Sequence, residues 1–339
     1  MKKMIAVMLI FFAGISIGLG EEANVKVTDQ LGREVVLPHE ADRVVSLWPE
    51  ATRVVFALGA EDKIVGIDSS SKTCPILKTA FPEINETPDV GSSTSGTLSN
   101  EAIAKLNPDI IFMSTDNPDL ADRIQKSLGV PVVCVRFNPP PSRKYSFDLF
   151  SIIGKCVGKE ARGEEVKSYL EQNMSEVISV TSKLPDSEKP KVYVTFAYDL
   201  LKTIGYFDVV DLAGGKNIEL SGGKKDAWVT VSLEDVNKWN PDVIILHGFG
   251  NFAPQDVLND SNWQQITAVK NKQVYKLTLG WTGFDPAGFV VNVMLMAKVF
   301  HPDKFDSSVE NEANQIFEEV YGVEGLYSRL KGRYGLSDV

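Results

Sequence analysis

At 339 residues the chain is longer than one hydrophobic core usually supports, so two domains are expected. Its 45 acidic against 35 basic side chains give a formal charge of −10, a surface that repels phosphate backbones and argues against nucleic-acid binding. Three histidines, His39, His247 and His301, are too few and too scattered for a bare zinc or manganese site, and Cys74, Cys134 and Cys156 are odd in number and lack metal-ligand spacing.

Lys2 and Lys3 precede an apolar run from Met4 to Leu19 that ends at Gly18, Leu19 and Gly20 before Glu21 and Glu22. The run is short for a membrane span and predicts a signal peptide over 1–20, with an uncleaved anchor as the alternative. The mature chain is then exported, periplasmic or cell-surface associated. No cysteine near the cleavage point offers a lipid attachment.

Beyond the leader, apolar runs at Arg43–Leu47, Ile64–Ile67, Ile110–Met113 and Val130–Val135 alternate with helix-like stretches, the rhythm of βα units. Ala51, Val54, Val55 and Leu58 fall at i, i+3, i+4 and i+7 behind Pro49, which predicts a helix with one apolar face. Cys134 lies in a strand pattern and Cys156 in a helical one, so both are expected as buried small hydrophobes. From Tyr145 to Leu184 the chain is rich in helix formers such as Glu164, Lys167, Leu170 and Met174, which predicts a stiff connector of one or two helices. The next strand is expected at Lys191–Phe196.

A repeat organises the rest. Glu101-Ala-Ile-Ala-Lys-Leu-Asn-Pro-Asp109 returns, 133 residues on, as Glu234-Asp-Val-Asn-Lys-Trp-Asn-Pro-Asp242. Each copy reads as a short helix, an Asn-Pro-Asp stop and an apolar run suited to a buried parallel strand. Ser99 and Ser232 are the expected N-caps, which puts Glu101 and Glu234 in the first helical turn. There a carboxylate favours the helix dipole by about 0.3–1 kcal/mol. The expected fold class is α/β: two Rossmann-like lobes, each with a mainly parallel sheet, joined by a long rigid α-helix. The expected division is a first lobe over 21–144, a connector over 145–184, and a second lobe over 185–339 that includes the C-terminal helices. A helical connector keeps lobe closure small.

The segment from Val27 to Asp68, VTDQLGREVVLPHEADRVVSLWPEATRVVFALGAEDKIVGID, resembles the opening of periplasmic solute-binding proteins of ABC importers for iron-siderophores, haem and cobalamin. So do GSSTSGTLSNEAIAKLNPDIIFMS, DAWVTVSLEDVNKWNPDVIILHG and GWTGFDPAG. The resemblance implies a shallow ligand cleft between the lobes and docking on the importer's permease through one acid per lobe. The matching positions are Glu101 and Glu234. It also implies a monomer with no cofactor and no catalytic residue, whose bound ligand is an iron or cobalt chelate: ferric siderophore first, cobalamin second, haem third.

Ligands of open α/β lobes meet the loops after the carboxyl ends of strands. In the first lobe that rule selects Trp48, the serine-rich loop with Ser93, Thr115 and Arg136. In the second it selects Tyr198, Tyr206, Trp228, Phe249 and Trp281. Such aromatic walls suit a large flat chelate. By the resemblance, Trp228 matches a ligand-stacking aromatic. Arg136 could grip an anionic chelate bidentately or be a paired surface arginine. His247 could be an axial ligand, a donor or a structural side chain. An enzyme of chelatase- or nitrogenase-like fold is the alternative class, yet no nucleophile, base and orienter occur as a set. Gly223-Lys224 fails as a P-loop because Ile218 stands where the earlier glycine belongs. A ligand sensor without transport is the other alternative.

Overall fold

The computed structural model describes residues 24–339 except 140, 141, 143, 221–227, 279, 281, 282, 306 and 307; the expected signal peptide and Trp281 lie outside the described residues. The described chain opens with an antiparallel hairpin, β1 (Val25–Thr28) and β2 (Glu34–Leu37). The Asp29 carboxylate pins it to the first sheet, accepting the backbone N–H of Leu31, Arg33 and Cys134.

The first sheet contains β3 (Val44–Ser46), β4 (Ile64–Ile67), β5 (Ile110–Met113) and β6 (Val132–Cys134), all parallel in the order β4-β3-β5-β6. β3, β5 and β6 are buried along their whole length, as suits a parallel sheet covered on both faces. The helix Pro49–Ala57 follows β3, and all nine of its residues are buried, Glu50 and Arg53 among them. Its sequence predicts one apolar face. It lies instead between the sheet and helices from both halves of the chain, which also covers its polar side.

The second sheet contains β7 (Lys191–Phe196), β8 (Asp199–Ile204), β9 (Lys216–Asn217), β10 (Trp228–Thr230), β11 (Val243–His247) and β12 (Val274–Leu277). Its parallel core, β9-β7-β11-β12, repeats the strand order of the first sheet. The sheet is mixed rather than purely parallel, because β8 and β10 add antiparallel strands. Where the first lobe follows β3 with a helix, the second follows β7 with a tight reversal through Ala197 and Tyr198.

The repeat holds down to single hydrogen bonds. Ser99 caps the helix Asn100–Lys105 through the N–H of Ala102, and Ser232 caps Leu233–Trp239 through the N–H of Asp235. Asp109 accepts from the backbone of Asp42 and Arg43, and Asp242 accepts from the backbone of Lys191. In return Arg43 donates to the carbonyls of Leu106 and Asn107, and Lys191 Nζ to that of Trp239 at 2.7 Å. In each lobe a cation that opens the first strand thus satisfies the carbonyls left free at a helix C-terminus.

Two helices, Asp148–Cys156 and Glu160–Thr181, occupy the expected connector. The second has 22 residues, a span of about 33 Å. Gly158 turns the chain between them with φ 70°. A Cβ on Gly163 would come within 2.6 Å of the Phe150 carbonyl oxygen, so glycine is what lets these helices touch. The stripe Gly163, Val166, Leu170, Met174, Val177 and Thr181 is buried, and its helix packs on Pro286–Phe300, whose residues from Pro286 to Ala297 are all buried. The last helices, Val309–Tyr321 and Leu326–Tyr334, return to the first half and pack on Pro49–Ala57 and Pro75–Ala80. One apolar cluster therefore runs from Val27 to Leu336 between the two sheets, and a smaller one covers the outer face of each sheet. The three cysteines are buried and free. Among the described residues no helix is long and apolar enough to cross a membrane.

Candidate functional site

The loops after the first-lobe strands bring three of the expected contacts into one neighbourhood. Trp48 follows β3 and is buried; its indole N–H donates to Glu50 Oε2 at 2.9 Å. The Arg136 guanidinium lies over its ring, 5.6 Å from the centroid. Arg136 follows β6, and among the contacts that hold it are its backbone N–H on Gln30 Oε1 at 2.5 Å, its Nε on Asn138 Oδ1 at 2.6 Å, and its Nη1 on the Asp116 carboxylate. The surface-pair alternative for this arginine thus describes its present state, and its charge is neutralised by Asp116. Thr115, on the same loop as Asp116, is only 3 % exposed and its hydroxyl has no partner among the described residues. A buried hydroxyl left unpaired costs about 1–3 kcal/mol, so this one is poised to accept a new bond.

Ser93 is half-buried on the Gly91–Thr97 loop, whose other hydroxyls bond one another: Ser92 with Thr94 at 2.8 Å, Ser95 with Thr97 at 2.9 Å. Gly91 is required there, since at φ 87° a Cβ would strike the Thr97 carbonyl oxygen at 2.2 Å.

In the second lobe Phe196, at the end of β7, is the organising residue. Trp228 meets its ring edge-on at 5.1 Å, Tyr198 at 6.3 Å, and Lys202 Nζ sits 4.4 Å above it. Trp228 pairs with Ile204 across β10 and β8, and both pack on the apolar cluster shared by the two halves. Tyr198 is 54 % exposed and Tyr206 is 43 % exposed. Phe249 is buried, edge-on to Tyr334 at 5.1 Å. His247 ends β11, and its Nδ1 accepts the Phe249 N–H at 3.3 Å. Burial pushes its pKa down to about 4, against an opposing hydrogen bond with the Gly280 backbone, so the ring is neutral at neutral pH. His39 is half-buried at the end of the early hairpin, and His301 holds the Gly214 carbonyl at 3.1 Å. Among the described residues no three metal-ligating side chains converge.

Sequence reasoning missed the contacts that weld the lobes beside this site. Glu50 reaches the backbone of Phe284, and Arg53 donates to the Phe284 carbonyl at 2.9 Å and faces Asp285 with 3.7 Å between Nε and Oδ2. Asp285 also accepts the Tyr321 hydroxyl and caps Pro286–Phe300 through the N–H of Gly288. Burial raises the Asp285 pKa, and Arg53 opposes the rise. Two charged residues inside a largely apolar helical run were the available signal. Phe196 and Lys202 also went unread, because both looked like ordinary strand residues.

Glu101 and Glu234 stand on opposite lobes in matching settings. Their side chains are 79 % and 77 % exposed, and each pairs with the lysine four residues on, Lys105 at 2.7 Å and Lys238 at 2.9 Å. Hollows lined by Glu34, Gln125 and Pro131, and by Val309, Tyr327 and Lys331, lie away from the strand ends just described.

The profile of the periplasmic binding protein family matches residues 44–278. The molybdate-binding protein MolA of Haemophilus influenzae is 25 % identical over 324 residues, covering 87 % of this chain and 90 % of that protein. Its molybdate-bound structure shares the fold with a TM-score of 0.76, at 22 % identity over 88 % of this chain and 98 % of that one. The vitamin B12-binding protein of Yersinia pestis is 26 % identical over 220 residues, 63 % of this chain and 72 % of that protein. A periplasmic solute-binding protein from Veillonella parvula superposes with a TM-score of 0.76 and 27 % identity, over 89 % of this chain and 94 % of that one. These relatives are binding components rather than enzymes. The chain belongs to the periplasmic binding protein family, the extracytoplasmic substrate-binding components of ABC transporters.

Proposed function

We propose that the protein captures a metal chelate at its strand ends and delivers it to its transporter's permease, with a ferric siderophore first, cobalamin second and haem third. The observation that carries this reading is a cation over an aromatic ring in each lobe: Arg136 over Trp48, and Lys202 over Phe196 beside Trp228 and the exposed Tyr198. Flat faces supply contact area for a planar or aryl-rich ligand, Lys202 suits its anionic groups, and Arg136 does so where an anionic group takes the place of Asp116. Trp48, Thr115, Arg136, Tyr198 and Trp228 are the proposed contacts, with Ser93, Phe249 and Trp281 as further candidates.

A second reading, a small oxyanion such as molybdate, is favoured by the unpaired buried hydroxyl of Thr115 and by the likeness to MolA. In either case Glu101 and Glu234 are proposed to meet basic residues of the permease, residues 1–20 to direct export, and the protein to act as a monomer. The division into lobes over 21–144 and 185–339 about a connector over 145–184 is proposed on the same footing.

Protein purified from its native host, measured by absorbance, mass spectrometry and elemental analysis, tests the reading. Iron or cobalt at one per chain with a chelate band supports it. Molybdenum without a chromophore supports the oxyanion. Calorimetry that finds no binding of a ferric catecholate, cyanocobalamin, haemin or molybdate would overturn both.

A further inference from the structure

Glu50 is the second residue of the helix Pro49–Ala57 and is completely buried. Its carboxylate receives three N–H donors from three separate stretches of chain. Oε2 accepts from the Trp48 indole at 2.9 Å and from the Phe137 backbone at 2.7 Å; Oε1 accepts from the Phe284 backbone at 2.7 Å. Trp48 ends the β3 loop, Phe137 directly follows Arg136, and Phe284 belongs to the stretch that leaves β12 for the helix Pro286–Phe300. One side chain thus joins two proposed ligand elements of the first lobe to the second lobe. The fit is close, since a Cβ on Gly283 would lie 2.5 Å from Glu50 Oε1.

None of the three donors is a cation; the buried Arg53 guanidinium, three residues on, adds a favourable charge interaction but does not set where the three N–H groups converge. Burying a carboxylate is costly unless its oxygens are well bonded. What three converging N–H groups require is an acceptor at both ends, and among side chains of this length only the carboxyl group of glutamate places an oxygen at each. Glutamine has the same shape but would turn an NH₂ toward at least one of those donors. The first-turn position adds a favourable dipole.

We propose that Glu50 is a positioning residue that fixes the ligand aperture, holding Trp48 and the Arg136 loop in register with the Phe284 stretch of the opposite lobe. The proposal rests on the reading of Trp48 and Arg136 as ligand contacts. It does not depend on which ligand is bound.

The test is Glu50→Gln in the full chain, read in two ways. In the ligand-free protein the ¹⁵N-indole resonance of Trp48, assigned by its loss in Trp48→Phe, should move upfield while those of Trp239 and Trp263 stay in place. By calorimetry, Glu50→Gln should bind at least tenfold more weakly whichever of ferric catecholate, cyanocobalamin, haemin or sodium molybdate the native protein binds. Gly283→Ala pushes on Oε1 from the second lobe and should give the same indole signature; it decides the matter if Glu50→Gln does not fold. A folded variant with an unmoved Trp48 resonance, or with affinity within twofold of the native protein, overturns the proposal. Failure of the native protein to bind any of the four probes would instead sink the chelate and oxyanion readings, and the indole measurement would still decide whether Glu50 positions Trp48.

Discussion

Asn107 and Asn240, one in each lobe, adopt the same left-handed backbone, with φ 44° and 43°. Each ends the helix of its repeat and turns the chain into Pro-Asp, so the turn was duplicated together with the strand it feeds.

The two positions are not equivalent under mutation, because Asn240 Oδ1 also accepts the Thr267 N–H at 2.8 Å. Glycine tolerates the left-handed region without strain. Asn107→Gly should therefore change stability by less than about 0.5 kcal/mol, while Asn240→Gly should lose about 1 kcal/mol with its hydrogen bond. Valine at either position should cost about 1–2 kcal/mol. Urea unfolding of the four variants checks the order.

Arg53 and Asp285 form a buried pair between the lobes, with side chains 0 % and 1 % exposed. Removing one partner strands the other, so Arg53→Met should cost about 3–5 kcal/mol. Asp285→Asn keeps an acceptor for the Gly288 N–H, and the double variant should recover part of the loss. A double-mutant cycle by chemical denaturation measures the coupling; strict additivity would show that the pair does not couple the lobes.

Charge reversal at both Glu101 and Glu234 should reduce transporter-dependent uptake at least tenfold and leave ligand affinity within twofold. Both acids are exposed and, among the described residues, each is held only by a lysine on its own helix, so the fold should barely respond. Uptake assays with the matching permease, run beside calorimetry, separate the two effects.

Asp208 and His247 respond to acid in opposite senses. Burial lifts the Asp208 carboxyl to about 6, so the folded state holds its proton more tightly than the unfolded chain does. Its contribution is complete below its ordinary carboxylate range and is lost as pH rises through about 6. His247, held down at about 4, stabilises the neutral fold above its ordinary value near 6.5, and that contribution is lost as pH falls toward 4. Asp208→Asn should therefore stabilise the protein at pH 8, by at most about 2 kcal/mol after allowance for partial exposure. It should gain little at pH 4. Thermal melts across pH 4–8 give the sign.

Trp228→Ala should weaken ligand binding about tenfold, the loss of one stacked ring at about 1.4 kcal/mol. Lys202→Met should discriminate among ligands: anionic catecholate, haemin or molybdate should lose affinity, and cyanocobalamin should not. Calorimetry with these probes reads both variants.

What could be read in advance was whatever short-range rules control. Buried strands announced themselves as apolar runs, Pro49 and the serine caps marked helix starts, and Asn-Pro-Asp marked both turns. The β7–β8 reversal was hidden because Ala197 and Tyr198 carry no turn signature. Glu50 and Arg53 passed for the solvent side of an amphipathic helix, since the groups that bury them, Phe284, Asp285 and Tyr321, lie more than two hundred residues away. The role of Phe196 was hidden for the same kind of reason: Trp228 reaches it only after β8 and β10 have paired.

The return of the last two helices to the first half sets the order in which this molecule can be completed. Arg333 reaches Thr79 across 254 residues, and Tyr321 packs on Phe81 at 6.2 Å. The apolar side of Pro75–Phe81 therefore stays uncovered until nearly all of the polypeptide has emerged. Synthesis runs from the first lobe to the second, but the final seal closes on the part made earliest. A chain cut short after the second sheet would present that bare flank to chaperones and proteases instead of forming a half-working receptor.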